Sequence, residues 1–219
     1  MTMRSDRPKG ADPVRFDSST AFTWWGSEYL YLDHPYNTTI YNERAVEVPI
    51  ARGFVDHWAR RTPAGVEVGN VLAHYGPVSH RVIDRWEQAP GVENIDVFDL
   101  HGSFDWIVAI STLEHVRRDE PDDGVPFGAV TALAHLRALL NPGGTLLITH
   151  PFGQNPYLDG AIMSGRLNPV RSGTLLFDPD GWIPMDGVAL WRPQRARTWP
   201  TAVWVAEFGY DPPRSFDTT

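Results

Sequence analysis

Phe104-Asp105-Trp106-Ile107-Val108-Ala109-Ile110 is a nearly continuous apolar run. Such a run predicts a strand covered on both faces, the habit of parallel sheets. Downstream, Val130, Leu133, Leu136 and Leu140 mark a helix that ends before the strong turn signal Asn141-Pro142-Gly143-Gly144. Thr145 to Thr149 then reads as the next strand. Upstream, Gly65-Val66-Glu67-Val68-Gly69 predicts a short strand ending in a glycine turn, with a short helix after Asn70. His80 to Asp84 and Asn94 to Val97 predict two more strands. Short apolar strands alternating with helices argue for an α/β fold around a parallel sheet. The segment 153–173, rich in Gly, Pro and Asn, reads as irregular. Strands around Val188–Trp191 and Thr201–Phe208 are expected to close the sheet as an antiparallel pair.

The 219 residues suit one such domain. With 42% apolar and 21% charged residues the chain can build a core and is not a disordered tail. A formal charge of −8 argues against wrapping nucleic acid, which requires a basic face. The absence of cysteine excludes disulfides, thiolate metal sites and Cys nucleophiles. No apolar run approaches the ~18 residues of a membrane span, and Met1 to Val14 does not read as a secretion signal. A cytoplasmic protein is expected.

The first third carries a different signal. Residues 1–20 read as a flexible leader. Phe22 to Tyr41 lacks a sustained period, contains Gly26, Pro35 and Asn37, and crowds Trp24, Trp25, Tyr29, Tyr31, Tyr36 and Tyr41 together. An aromatic arm or lid is expected there. Asn42 can cap a helix running through Arg61, broken or started afresh at Pro49. Ile50, Phe54 and Trp58 form its apolar stripe.

Acids recur at the ends of the predicted strands. Glu67 and Gly69 end the first, Asp84 the second and Asp96 the third, while Ser111 to His115 follow the long apolar one. In doubly wound sheets ligands sit outside the carboxyl ends of the strands, where a glycine lets backbone approach closely. A carboxylate there can accept both hydroxyl protons of a ribose. A solvated acidic surface is the plainer alternative.

Glu67-Val68-Gly69-Asn70-Val71-Leu72-Ala73-His74-Tyr75, Val82-Ile83-Asp84, Phe104 through Val116, and Asn141-Pro142-Gly143-Gly144-Thr145-Leu146-Leu147-Ile148 together resemble class I S-adenosylmethionine-dependent methyltransferases. The likeness covers about residues 64–152, and Asn70, Val71 and Leu72 stand where the family's turn carries further glycines. It implies a Rossmann-like, doubly wound, seven-stranded mixed sheet over 63–219, with a lid and helix over 21–62. It also implies S-adenosylmethionine as cofactor. Glu67, Gly69 and Asn70 would flank the methionine moiety. Asp84 would hold the ribose, Asp96 and the Val97 backbone the adenine, and Ser111 would lie near the sulfonium.

Aromatic faces suit a sulfonium, so one or more of Tyr29, Tyr31, Tyr36 and Tyr41 is expected over the site, Tyr36 foremost. Packing against the core is the alternative for each ring. Arg44 can meet the cofactor's carboxylate bidentately, or simply pair with Glu47. Asn37 can orient an amino group. His115 is the candidate general base, with His150 a second. His74 and His80 lack metal-ligand spacing, no metal is expected, and the acidic run 119–123 reads as a solvated turn. The expected activity is methyl transfer to a small molecule. Two alternatives are a cyclase on the same cofactor, releasing methylthioadenosine as azetidine-2-carboxylate synthases do, and a non-catalytic binding module. The expected partner is a small acceptor, or none beyond the cofactor, with no nucleic acid or membrane and the oligomeric state left open.

Overall fold

The computed structural model describes residues 14–118, 127–189 and 202–210. A hairpin, β1 (Ala21–Trp24) and β2 (Ser27–Leu30), precedes helix α1 (Arg44–Ala59). The central sheet then begins with β3 (Gly65–Val68), β4 (Arg81–Ile83), β5 (Val92–Glu93) and β6 (Phe104–Ile110). Helix α2 (Gly128–Ala138), β7 (Leu140–Pro151) and α3 (Pro156–Met163) follow. Strands β8 (Arg171–Asp178), β9 (Gly181–Asp186) and β10 (Ala202–Gly209) complete it. The order across the sheet is β5-β4-β3-β6-β7-β10-β8-β9. The first five strands are parallel, and β10 runs antiparallel between β7 and β8.

The α/β, doubly wound mixed sheet therefore stands as expected, with eight strands rather than seven. The extra strand comes from the β8–β9 hairpin. Its first strand starts at Arg171, inside the end of the 153–173 stretch expected to be irregular, which also holds α3, and its second is mostly exposed, so the local composition hides both. No strand forms at Val188–Ala189, and the rest of that expected strand lies outside the described residues, as do Trp199 and the 119–123 run. Strand β10 matches its expected span within a residue at each end. The third strand is Val92–Glu93 rather than Asn94–Val97, because Asp96 uses its carboxylate to cap the short turn Val97–Asp99. Between β3 and β4 a single helical turn, Leu72–Tyr75, stands in place of a crossover helix. Among the described residues no helix is long and apolar enough to cross a membrane.

Period-two alternation along β6 divides the core. Ile107 and Ala109 face α2 and α3, while Trp106, Val108 and Ile110 face α1 and the N-terminal hairpin. Trp106 is fully buried. It occupies the space above Gly65, where an added Cβ would lie 1.7 Å from the ring, so the first sheet residue has to be glycine. Burying roughly 200 Å² of indole at ~25 cal/mol/Å² contributes about 5 kcal/mol before entropy.

The aromatic arm is core rather than lid over most of its length. Phe22, Trp24 and Tyr31 are buried, Tyr31 packs on Phe16 and Phe22, and its hydroxyl accepts from Trp182 N at 2.9 Å. Helix α1 runs through Pro49 without a break, and Asn42 Oδ1 accepts from Arg44 N at 3.0 Å as the capping expectation requires. Proline removes the amide that would have bonded the Ala45 carbonyl. Leu32 N donates to that carbonyl instead, at 3.0 Å, and ties the arm to the helix.

Candidate functional site

The chain leaves β3 toward β4 on one side and returns through β6 on the other, which creates a switch point between β3 and β6. Outside their carboxyl ends lies a cavity of about 510 Å³, within the range of small-molecule sites. Gly69, Asn70, Asp84, Asp96, Val97, Ser111, His115 and Arg44 all line it. Glu67 and Tyr36 do not.

Glu67 is fully buried beneath the cavity and shapes its floor. Its Oε1 accepts from Val71 N (2.9 Å) and Leu72 N (2.8 Å), and its Oε2 lies 2.7 Å from His80 Nε2. The carboxylate is engaged by the loop after β3 and by His80 and does not reach the cavity lining. Above it, Gly69 has φ +86, and a Cβ there would lie 2.2 Å from Thr112 Oγ1. Conformation and contact both require glycine. The adjoining Asn70 Oδ1 is buried in the cavity wall without a hydrogen-bond partner among the described residues.

Asp84 organises the next loop. Its carboxylate accepts from Asn70 N at 3.0 Å and from Trp86 N and Glu87 N at 2.8 Å each. A carboxylate offers about four acceptor positions, more than these three bonds use, and Asp84 lines the cavity. Glu87, three residues on, also lines the cavity, holding Asn70 Nδ2 at 2.7 Å and His74 Nε2 at 3.1 Å. Trp86 stands at the cavity edge, 72% exposed, with the Arg85 guanidinium 4.6 Å from its ring centroid. Asp96 Oδ2 meets Arg85 and Arg117 at 3.0 Å each, while Oδ1 accepts from Phe98 N.

The opposite wall rests on a buried polar network. Arg44 Nη1 lies 2.8 Å from Glu47 Oε1, so it makes the ion pair with Glu47 that is its alternative reading, and the residue also lines the cavity. Glu47 Oε2 accepts from Ser111 Oγ at 2.6 Å and Thr149 Oγ1 at 2.7 Å. Ser111 has φ +42, an uncommon conformation for a residue with a side chain. Its amide donates to Thr149 Oγ1 at 3.0 Å, so β7 and α1 together fix it. Burial, then the neighbouring Glu47 charge, pushes the Glu43 carboxyl up to about 7.

His115 faces the cavity with its side chain 59% exposed. His150 is fully buried, with Nε2 2.7 Å from Asp159 Oδ1 and Nδ1 3.8 Å from Glu114 Oε2. Burial opposes its protonation, but the hydrogen bond to Asp159 and the nearby Glu114 carboxylate outweigh it and raise the pKa. Tyr36 stacks on His74 at 4.4 Å and meets Tyr75 edge-on, away from the cavity lining. Tyr29 and Tyr41 pack against the hairpin-side core. The expected aromatic cage from the arm is thus not what lines the cavity.

Trp86 and Glu87 line the cavity, and Glu43 and Glu114 stand behind its wall near Arg44; the strand-end reading passed over all four. A signal for Glu43 existed: stepping back from Trp58, Phe54 and Ile50 along the helix reaches Glu47 and Glu43, so two acids continue an apolar stripe. Among the described residues no group of three or more His, Asp or Glu is spaced to hold a metal ion.

No protein-family model matches the chain, and no curated protein matches it. Solved structures do. The N-methyltransferase NodS from Bradyrhizobium japonicum, in complex with S-adenosyl-L-homocysteine, is 16% identical over 76% of this chain and 92% of its own, with a TM-score of 0.39. The magnesium protoporphyrin IX methyltransferase ChlM from Synechocystis, with bound S-adenosylmethionine, is 14% identical over 74% and 82%, at 0.37. A TehB-like S-adenosylmethionine-dependent methyltransferase from Corynebacterium glutamicum is 15% identical over 74% and 98%, also at 0.37. At these TM-scores the likenesses carry no inference about what this cavity binds.

Proposed function

We propose that the chain binds S-adenosylmethionine in the switch-point cavity and transfers its methyl group to a small acceptor. The observation that carries this reading is convergence: loops from the ends of β3, β4 and β6, the cap at Asp96, and α1 all contribute polar groups to one cavity. The residues present suit an adenosyl group with an amino-acid tail. Val68, Ile83, Ile95 and Val97 give an apolar bed for a base, and Trp86 offers an aromatic face beside it. Asp84 and Glu87 would meet ribose hydroxyls, and Asp96 the adenine amino group. The open Asn70 Oδ1 suits an ammonium and Arg44 a carboxylate.

The bound cofactor supplies an electrophilic methyl group. The protein contributes alignment and exclusion of water, which suffice for an in-line displacement. Ser111, locked between α1 and β7, forms a rigid wall where the reacting end would lie.

Calorimetry with S-adenosylmethionine and S-adenosylhomocysteine, against ATP and NAD as controls, tests the reading. Saturable heat for the first two alone is expected. No heat and no thermal shift at about 1 mM, equivalent to binding weaker than about −4 kcal/mol, would overturn it. A mass spectrum of the reaction mixture separates transfer from cyclisation, since transfer yields adenosylhomocysteine and cyclisation yields methylthioadenosine.

A further inference from the structure

Behind the Ser111 end of the cavity, acids outnumber bases. The charges of Glu47, Glu43 and Glu114, together with Tyr75, all act on the single Arg44 guanidinium. On the far side His150 lies between Glu114 and Asp159. Among the described residues four carboxylates face two bases there. Arg44 is committed to Glu47, and His150 Nε2 to Asp159. Glu43 Oε2, Tyr75 Oη, Glu114 Oε2 and His150 Nδ1 are buried without a hydrogen-bond partner among the described residues, the last two facing each other at 3.8 Å as a loose ion pair. The side chains of Glu114 and His150 are 1% and 0% exposed, so water does not substitute freely for a partner. Leaving such groups unmet is costly, and more so when they are charged.

Resting on the proposed function, we propose that this shell is the acceptor subsite and that it binds an amine as its ammonium ion. An ammonium has the sign the cluster lacks and several N–H donors for its unmet oxygens. Ser111 and Arg44, both bound to Glu47, and His115, 4.0 Å from Glu114, line the cavity, so the shell lies directly behind that wall and an ammonium held there would stand beside the reacting end. A divalent cation fits less well, because the carboxylates are not spaced as a metal-ligand set. Before its nitrogen can accept a methyl group, the ammonium must lose a proton, and the Glu114 carboxylate takes it. The nitrogen lone pair then forms the N–C bond. The electron pair of the broken S–C bond stays on sulfur, so positive charge passes from sulfur to nitrogen. His115 Nε2, 4.0 Å from Glu114 Oε1 and exposed, leads the proton toward solvent.

The test uses benzylamine and its neutral counterpart benzyl alcohol, titrated calorimetrically into the full chain with and without S-adenosylhomocysteine. Wild type is expected to prefer the amine by about tenfold or more. Glu43→Gln and Glu114→Gln should each reduce that preference to about threefold or less, while S-adenosylhomocysteine affinity stays within about twofold. Circular dichroism and urea midpoints confirm folding. Glu43, the less enclosed of the two, supplies the variant if Glu114→Gln does not fold. Equal binding of amine and alcohol overturns the proposal, as does a preference that survives both substitutions. A parallel loss of S-adenosylhomocysteine affinity in Glu43→Gln also overturns it, since the ammonium bound there would be the cofactor's own. Amine preference that is lost in the variants, on a protein that binds no S-adenosylhomocysteine, supports the subsite and sinks the methyltransferase reading alone.

Discussion

The Ser111 hydroxyl donates to Glu47 Oε2 at 2.6 Å, joining the carboxyl end of β6 to α1 across 64 residues of chain. The bond holds Ser111 at φ +42, where an isolated residue would not stay. Two opposing effects can be separated there. Ser111→Ala removes a hydrogen bond to a charged group and keeps the backbone strain, so it should cost about 1.5–3 kcal/mol in urea unfolding. Ser111→Gly loses the same bond but relieves the left-handed conformation, and should be milder by about 1 kcal/mol. The reverse ranking would show that the strain is absent.

Gly69→Ala sets a Cβ against Thr112 Oγ1 at a backbone angle that alanine resists. A loss of about 2 kcal/mol or more is expected, with weaker binding of S-adenosylmethionine. Adding Thr112→Ala removes the clashing oxygen but not the φ cost, so thermal denaturation should show partial recovery. Full recovery would assign the effect to contact alone.

Asp84→Ala removes the acceptor of three backbone N–H groups and a carboxylate from the cavity lining. Affinity for S-adenosylmethionine should fall by about 1–3 kcal/mol in calorimetry. Unchanged affinity would mean that Glu87 alone serves that part of the cavity.

Glu43 gives a pH signature. Its folded pKa, about 7, lies above the ordinary 4.5. The folded state therefore binds a proton that the unfolded chain has already released between those values. The corresponding stability is complete below pH 4.5 and disappears as pH rises through about 7. Glu43→Gln should flatten that part of the stability profile. Parallel profiles for the two proteins would place Glu43 in solvent.

His150 is also raised, by its carboxylate neighbours. Its contribution is complete below its ordinary 6.5 and is lost as pH rises through the higher folded value. The stability gap between wild type and His150→Gln should therefore narrow in alkaline solution. A gap that widens there would mean that the ring is neutral when folded.

What was legible in the sequence was whatever has a local cause. The β6 run, the glycine at 69 and the acids at 84 and 96 announce themselves by period or position, and the structure puts Gly69, Asp84 and Asp96 at one cavity with Ser111, which follows β6. Glu67 ends its strand like the others, yet its carboxylate turns under the loop to meet Val71 and Leu72, a direction fixed by the tertiary course of the chain. The β8–β9 hairpin was missed because its partner β10 is about thirty residues away and supplies the burial that its own sequence only hints at. The arm misled for a related reason. Its rings suit a cation, but the large apolar face formed by α1, Trp106 and Trp182 takes most of them first.

Helix α1 and the hairpin arm meet at a place where the helix has one donor too few. Replacing Pro49 with alanine, ordinarily an improvement to a helix, would restore an internal bond to Ala45 and set it competing with Leu32 for the same oxygen. The imino acid thus works as a coat-hook: the gap it leaves in one element is the peg from which another hangs. Faster hydrogen exchange at the Leu32 amide in that variant would register the arm coming loose.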